Sequence, residues 1–239
     1  MSNLNELSDA VVLRSERIHR ILGSDGPGGP RSWTRLLRRI YRTHGKRAFD
    51  LSMTIVFAPI LIVLIGVLVI AVACQGGAPI YAQRRVGRDG RVFKMYKIRS
   101  MVRDADERLR AHLASCPEAR REWHVHQKLR HDPRVTRLGR FIRKTSMDEL
   151  PQFLNVLRGE MSLIGPRPFM EDQRPRYPGS AYYAMQPGLS GLWQISERSE
   201  SSFEERARYD DAYHQDMSFG TDLRICVATV DVLIRPSGV

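Results

Sequence analysis

The sequence predicts an α+β fold, predominantly helical, for a monotopic membrane protein. It would carry one N-terminal hydrophobic helix, re-entrant or spanning, a small β-hairpin and a cytoplasm-facing domain. Three observations lead there. Residues 51–74, LSMTIVFAPILIVLIGVLVIAVAC, are apolar, and no charge occurs between Asp50 and Arg84. Two β-prone runs, PIYAQRRVGR and RVFKMYKIRSM, meet at Asp89-Gly90, a dipeptide suited to a hairpin turn. Most of the remainder places apolar and charged residues at helical spacing, and little else reads as strand.

The first twenty residues mix acidic and basic side chains without an early apolar run, so no signal peptide is expected among them. Residues 1–30 read as an extension with a flexible linker, ending in the turn-rich GSDGPGGP. From Ser32, Trp33, Leu36, Leu37, Ile40 and Tyr41 share one helical face, and Arg35, Arg38, Arg39 and Arg42 the other. That pattern suits a helix lying on a membrane surface; packing on the rest of the domain is the alternative. Residues 1–44 thus form a variable extension, and 45–239 the domain proper.

At 1.5 Å per residue the 24-residue apolar run reaches about 36 Å, enough to cross a hydrocarbon core of about 30 Å. Both flanks are basic, with Arg35 to Arg47 before and Arg84 to Lys97 after. The positive-inside tendency puts both on the cytoplasmic side, which a single crossing cannot do. Pro59 offers a break at which the helix dips in and returns; a straight span leaves one flank misplaced.

Past the hairpin, residues 104–130 are charge-laced and helical, interrupted near Pro117. His112, His124, His126 and His131 lack metal-ligand spacing and read as solvated. Turn chemistry returns at residues 186–194, a charged segment covers 197–216, and 222–234 reads as a closing helix. Net charge is +12, from 38 Lys and Arg against 26 Asp and Glu. Such a surface favours phosphate-bearing partners, whether nucleic acid, anionic lipid or nucleotide. Three scattered cysteines argue against a disulfide framework and suit a reducing compartment.

The chain is organised around residues 132–168, DPRVTRLGRFIRKTSMDELPQFLNVLRGEMSLIGPRP. A helix is expected to begin near Asp148, because Pro151 lacks an N–H and is tolerated only in a first turn. Ser146 with Glu149 reads as a capping box. Asp148 and Glu149 then lie where free N–H groups favour negative charge, their own or a bound phosphate's. Acidic residues in a first turn often only cap it. With Arg143 and Lys144 upstream and the rigid Gly165-Pro166-Arg167-Pro168 downstream, this pair points instead to phosphoryl chemistry.

Taken together, KRAFD at 46–50, the apolar run, QRRVGRDGRVFKMYKIRSM at 83–101, the 132–168 stretch, PGLSGLWQISER at 187–198 and the Asp210/Tyr213 pair resemble the bacterial sugar transferase family. These are small monotopic phosphoglycosyl transferases, and the likeness covers roughly residues 45–235. The resemblance implies transfer of a sugar phosphate from a UDP-sugar to undecaprenyl phosphate, releasing UMP, at the start of exopolysaccharide, O-antigen or other glycan assembly. It assigns Asp148 as nucleophile, through a covalent aspartyl phospho-sugar, and Glu149 as its partner. Both would hold Mg²⁺. Arg143 and Lys97 would bind phosphate, and Pro166, Arg167 and Pro168 the nucleotide. Trp193 and Asp210 read as structural. The implied location is the cytoplasmic face of the bacterial inner membrane, among membrane lipids. A homodimer and downstream glycosyltransferases are further implied partners; nucleic acid is not.

Two departures from the family pattern stand out. Ala58-Pro59 replaces the usual Ser-Pro at the helix break, and Ala71 to Gln75 lack the basic residue expected just before the Gly-rich turn. The multi-helix membrane module of larger relatives is not expected within residues 1–44, which are short and polar. Rival readings are direct attack by lipid phosphate in a ternary complex, a non-enzymatic basic protein binding nucleic acid or anionic lipid, and a membrane scaffold.

Overall fold

A computed structural model of the chain describes residues 32–126, 129, 131–196 and 202–234. The expected extension at 1–30 and residues 197–201 of the charged segment lie outside the described residues. Helix α1, Ser32–Ile40, runs through a π-helical turn at Tyr41–Gly45 into α2, Lys46–Ala73. Trp33, Leu36, Leu37 and Ile40 of α1 are exposed, so its apolar face is not packed on the domain.

Helix α2 is assigned as helix without interruption through Pro59, so the break expected there is not seen. Its surroundings divide it into three parts. Phe49, Asp50 and Thr54 are buried in the domain near one end, and Leu68 and Val72 near the other. Between them no residue from Ile55 to Val67 is buried, and most of the large apolar side chains there are exposed. Those 13 residues span about 20 Å of helix. Arg99 donates to the carbonyls of Val72 and Gly76, covering orphan acceptors at the C-terminal end of α2.

The N-terminal end is held by a buried polar node. Lys46 Nζ lies 2.7 Å from Asp222 Oδ2 and 3.5 Å from Asp50 Oδ1. Tyr41 and Tyr213 donate to the two oxygens of Asp222 at 2.6 and 2.7 Å. Asp50 Oδ1 accepts from the Leu163 N–H at 3.0 Å. Burying these charges is tolerable because Lys46 lies between the two aspartates, and Asp222 and Asp50 Oδ1 also accept hydrogen bonds. The spacing in KRAFD is explained by this node: Lys46 and Asp50 lie one helical turn apart on the inward face. Tyr213 pairs with Asp222 rather than with Asp210, which instead accepts from Tyr177 at 2.6 Å.

The expected hairpin forms. Strand β1, Ile80–Val86, pairs antiparallel with β2, Val92–Ile98, in the register Val86↔Val92 to Ile80↔Ile98. Asp89 and Gly90 both take left-handed φ, which is why Asp-Gly suits the turn. Helices α3, Ala105–Ser115, and α4, Pro117–His126, confirm the interruption at Pro117. Then follow α5, Arg137–Lys144, and α6, Phe153–Arg158. Strand β3, Ser162–Ile164, α7, Ala181–Ala184, β4, Gly188–Ser190, and α8, Leu192–Ser196, come next. Helices α9, Arg206–Asp216, and α10, Phe219–Ile234, close the chain. Not foreseen from sequence was the parallel pairing of β3 with β4. The main core gathers Phe49, Met95, Val156, Ile164, Trp193, Tyr213 and Ile225, so α2, both sheets and the last helices share one apolar centre.

Candidate active site

Strand β2 supplies one wall. Side chains alternate along a strand. Phe93 and Met95 are buried, whereas Lys97 sits at the edge of the core with its side chain 12% exposed. On β1 the adjacent arginines point to opposite faces. Arg84 meets the exposed Glu171 at 2.6 Å, while Arg85 turns inward and donates to the Pro168 carbonyl and to Gln83 Oε1 at 3.2 and 2.7 Å.

Helix α5 is positioned by Ser100, just past β2. Thr136 caps it, its hydroxyl accepting from the Gly139 N–H at 2.8 Å, and the Thr136 N–H donates to the Ser100 carbonyl. A Cβ on Gly139 would lie 1.9 Å from that carbonyl, so only glycine permits the approach. Arg143, on this helix, donates from Nε to Ser100 Oγ at 2.8 Å.

The carboxylate pair follows, with local geometry unlike the expectation. Residues Met147–Gln152 form a 3₁₀ turn, and regular α-helix starts only at Phe153. Ser146 is left-handed (φ 55°) and makes no side-chain cap, so the capping box is not formed. Pro151 is accommodated because the tighter turn places it near the start of α6. Asn155 locks this segment to β2. It is fully buried, donates to the Lys94 carbonyl at 2.7 Å and to Glu160 at 2.6 Å, and accepts from the Tyr96 N–H at 3.2 Å. Arg47 of α2 donates to the carbonyls of Val156 and Leu157 at the other end of α6.

That lock brings Lys97 to both carboxylates. Its Nζ lies 3.0 Å from Glu149 Oε1 and 3.8 Å from Asp148 Oδ2. Arg167 approaches Glu149 Oε1 at 3.8 Å. Burial raises the Asp148 pKa above the usual carboxyl value. Lys97 and Arg143 pull it down, and Glu149 pushes it up.

Arg167 reaches this point because its loop is welded to a distant segment. Gly165 donates to the Ser190 carbonyl and Gly188 donates to that of Pro166, both at 2.9 Å. A Cβ on Gly165 would lie 2.4 Å from the Gln186 carbonyl. Gly165-Pro166-Arg167-Pro168 and the 187–194 segment are therefore one structure, joined through β3 and β4.

A cleft is lined by Arg85, Met95, Lys97, Glu149, Gln152, Arg167, Pro168, Gly188 and Leu189. Of the residues named from sequence, it collects Lys97, Glu149, Arg167 and Pro168. Asp148 stands beside it, within reach of Lys97, and Arg143 is tied to Ser100. Pro166 is not among the lining residues; its carbonyl braces Gly188. Sequence reasoning missed Arg85 and Gln152, which line the cleft, and Asn155, which holds the turn. Period-2 alternation in β1 separates Arg84 from Arg85 but does not say which faces inward.

Among the described residues no three His, Cys, Asp or Glu side chains gather as a metal cage. The available donors are the adjacent Asp148 and Glu149. That set fits Mg²⁺ of the kind held by one or two carboxylates and completed by substrate phosphates and water.

A sequence model for the family described as "Bacterial sugar transferase" matches residues 41–236. The chain is 47% identical over 195 residues to a protein of Erwinia amylovora named UDP-galactose-lipid carrier transferase. Its identity to the undecaprenyl-phosphate galactose phosphotransferase of Salmonella typhimurium is 45%, also over 195 residues. Both matches cover 81% of this chain, and the chain spans 41% of the length of each of those relatives. The exopolysaccharide production protein ExoY of Sinorhizobium fredii is 40% identical over 199 residues, covering 81% of this chain and 87% of that protein.

Proposed function

We propose an activity for this chain from one premise: it belongs to the bacterial sugar transferase family. On that premise it transfers a sugar phosphate from a UDP-sugar to undecaprenyl phosphate and releases UMP, as an early step of exopolysaccharide or related glycan assembly. The observation that carries the reading is the convergence of Asp148 and Glu149 on Lys97, with Arg167 closing on Glu149 at a cationic cleft.

The chemistry runs in two displacements. An Asp148 oxygen attacks the β-phosphorus; the new O–P bond forms as the bond to the UMP oxygen breaks, and UMP leaves with that electron pair. A phosphate oxygen of the lipid then attacks the same phosphorus, forming the lipid pyrophosphate and returning Asp148 as a carboxylate. Lys97 keeps Asp148 ionised and orients Glu149. Arg167 presents a guanidinium fork to phosphate oxygens. Mg²⁺, held by Asp148 and Glu149, would offset the negative charge of the pyrophosphate.

The fold suits a lipid acceptor whose phosphate lies at headgroup level. Both ends of α2 are packed into one domain, leaving an exposed apolar middle of about 20 Å, shorter than a hydrocarbon core of about 30 Å. A helix so held dips into one leaflet without placing its ends on opposite sides. This supports a monotopic arrangement, with the domain on the cytoplasmic face of the inner membrane, where UDP-sugars are available.

The test uses the purified protein in nanodiscs with undecaprenyl phosphate and a panel of UDP-sugars. UMP release dependent on one of them, together with a phospho-sugar trapped on Asp148, is expected. Absence of UMP release with every donor would overturn the activity. Turnover with direct-displacement kinetics and no labelled protein would overturn the covalent route.

A further inference from the structure

The cleft contains two polar groups to which neither the family resemblance nor the comparisons give a task, and both are short of partners. Gln152 is 2% exposed, lines the cleft, and its Nε2 has no hydrogen-bond partner. Arg85 also lines it, and its buried Nε likewise has none. Buried donors in native proteins are nearly always satisfied, so two orphans on residues that line one cleft point to a ligand that completes them.

The charges define that ligand's class. Lys97, Arg85 and Arg167 bring three cations to the cleft wall, and Glu149 a single carboxylate. Glu149 is engaged by Lys97 and Arg167. Arg85 instead contacts the neutral Pro168 carbonyl and the Gln83 amide oxygen. An inward-facing guanidinium hydrogen-bonded only to neutral acceptors, with Glu149 near but not in contact, calls for an anion. Burial and the charge of Arg167 both depress its pKa, in keeping with a cation waiting for its counter-charge. Asp148, the proposed nucleophile, is not among the lining residues; it stands at the cleft's edge. The phosphorus under attack is therefore placed at that edge, and the cleft interior receives the group that leaves.

We infer that Arg85 and Gln152 bind the nucleoside monophosphate leaving group: Arg85 takes its phosphate oxygens by charge-assisted hydrogen bonds, and Gln152 adds a neutral N–H donor. The inference rests on the phosphoglycosyl-transfer reading and adds to it a site for the departing phosphate. As UMP leaves, its phosphate gains negative charge, so donors placed here act most strongly late in the first displacement and on the bound product.

The experiment compares inhibition by UMP and by uridine, using the full chain in nanodiscs with wild type, Arg85→Met and Gln152→Met. A hydrogen bond to a charged group corresponds to about a tenfold to hundredfold change in binding. The UMP inhibition constant is therefore expected to rise by at least about tenfold in each variant, while that of uridine, which lacks the phosphate, stays within about twofold. The wild-type preference for UMP over uridine collapses accordingly. A merely structural loss would weaken both inhibitors together, and that outcome overturns the inference, as does an unchanged preference. Arg85→Lys and Gln152→Asn replace any methionine variant that does not accumulate folded; a smaller but phosphate-selective loss is expected of them. Should wild-type protein bind neither inhibitor and release no UMP, the transferase reading itself fails. Wild-type turnover with an unaltered UMP preference in the variants sinks this inference alone.

Discussion

Replacing Lys97 with methionine removes an ammonium that lies within 4 Å of both carboxylates and keeps most of the side-chain volume. The Nζ–Oδ2 separation from Asp148 is 3.8 Å. At that distance an effective dielectric near 20 gives an attraction of about 4 kcal/mol. The two side chains are 12% and 15% exposed, and Lys97 also serves Glu149 at 3.0 Å, so screening and sharing reduce the figure. A residue of about 1.5 to 3 kcal/mol corresponds to about one to two pKa units. Burial already holds the Asp148 carboxyl above its ordinary value of 3.8 despite Lys97. Removing the cation raises it further, and the nucleophile becomes protonated at a higher pH. The acid limb of the kcat/KM profile for UMP release, which reports the free enzyme, should move up by about one to two pH units at fixed Mg²⁺. Lys97→Arg should keep the limb near its wild-type position. A limb that stays in place while the rate drops uniformly at every pH would refute the electrostatic role and leave Lys97 a substrate-positioning group.

Asp148→Asn should abolish UMP release without altering the fraction of protein recovered with membranes, and Glu149→Gln should cut the rate severely and shift its Mg²⁺ dependence; near-normal rates in either, assayed with UDP-sugar and lipid phosphate, would end the dyad assignment. Asp210 offers a test independent of catalysis. Burial raises its pKa from 3.8 to about 7, against the Tyr177 hydrogen bond and the charge of Arg206. The folded state holds that proton more tightly than the unfolded one, so the associated stability is complete below about pH 4 and is lost as pH rises through about 7. The difference of about three units is worth at most about 4 kcal/mol. Asp210→Asn should flatten the dependence of melting temperature between pH 4.5 and 8 and melt higher than wild type at pH 8; parallel curves would contradict the assignment. Asn155→Ala should cost about 2 to 4 kcal/mol by stranding the Tyr96 N–H and the Lys94 carbonyl. It should also lower the UMP release rate of the protein that remains folded, as measured by denaturant melts beside rates.

Local chemistry made much of this molecule legible from its chain. The apolar run, the Asp-Gly hairpin, the break at Pro117 and the amphipathic character of residues 32–41 each depend on residues within a few positions of one another. The clustering of Asp148 and Glu149 with nearby cations was legible in the same way, and the fold brings Lys97 to both carboxylates. Local prediction failed at two places. At Pro59 the expected break is absent because helix α2 continues through it. Ser146 and Glu149 have the spacing of a capping box, but packing of the turn against β2, secured by the buried Asn155, stabilises a 3₁₀ turn with Ser146 left-handed.

Tertiary structure alone decided which of several equivalent side chains does what. Arg84 and Arg85 differ only in which face of β1 they occupy, and that depends on docking of the hairpin against the Pro168–Phe169 backbone. Tyr213 could pair with either of two aspartates, and the approach of α2 to α10 gave it Asp222. Gln152 reads as one more polar residue until its burial at the cleft leaves its amide nitrogen without a partner. The physical reason is common to all three. Propensity and periodicity are short-range and follow from neighbours in the chain, whereas burial and pairing are set by groups tens of residues away that only the packed domain brings into contact.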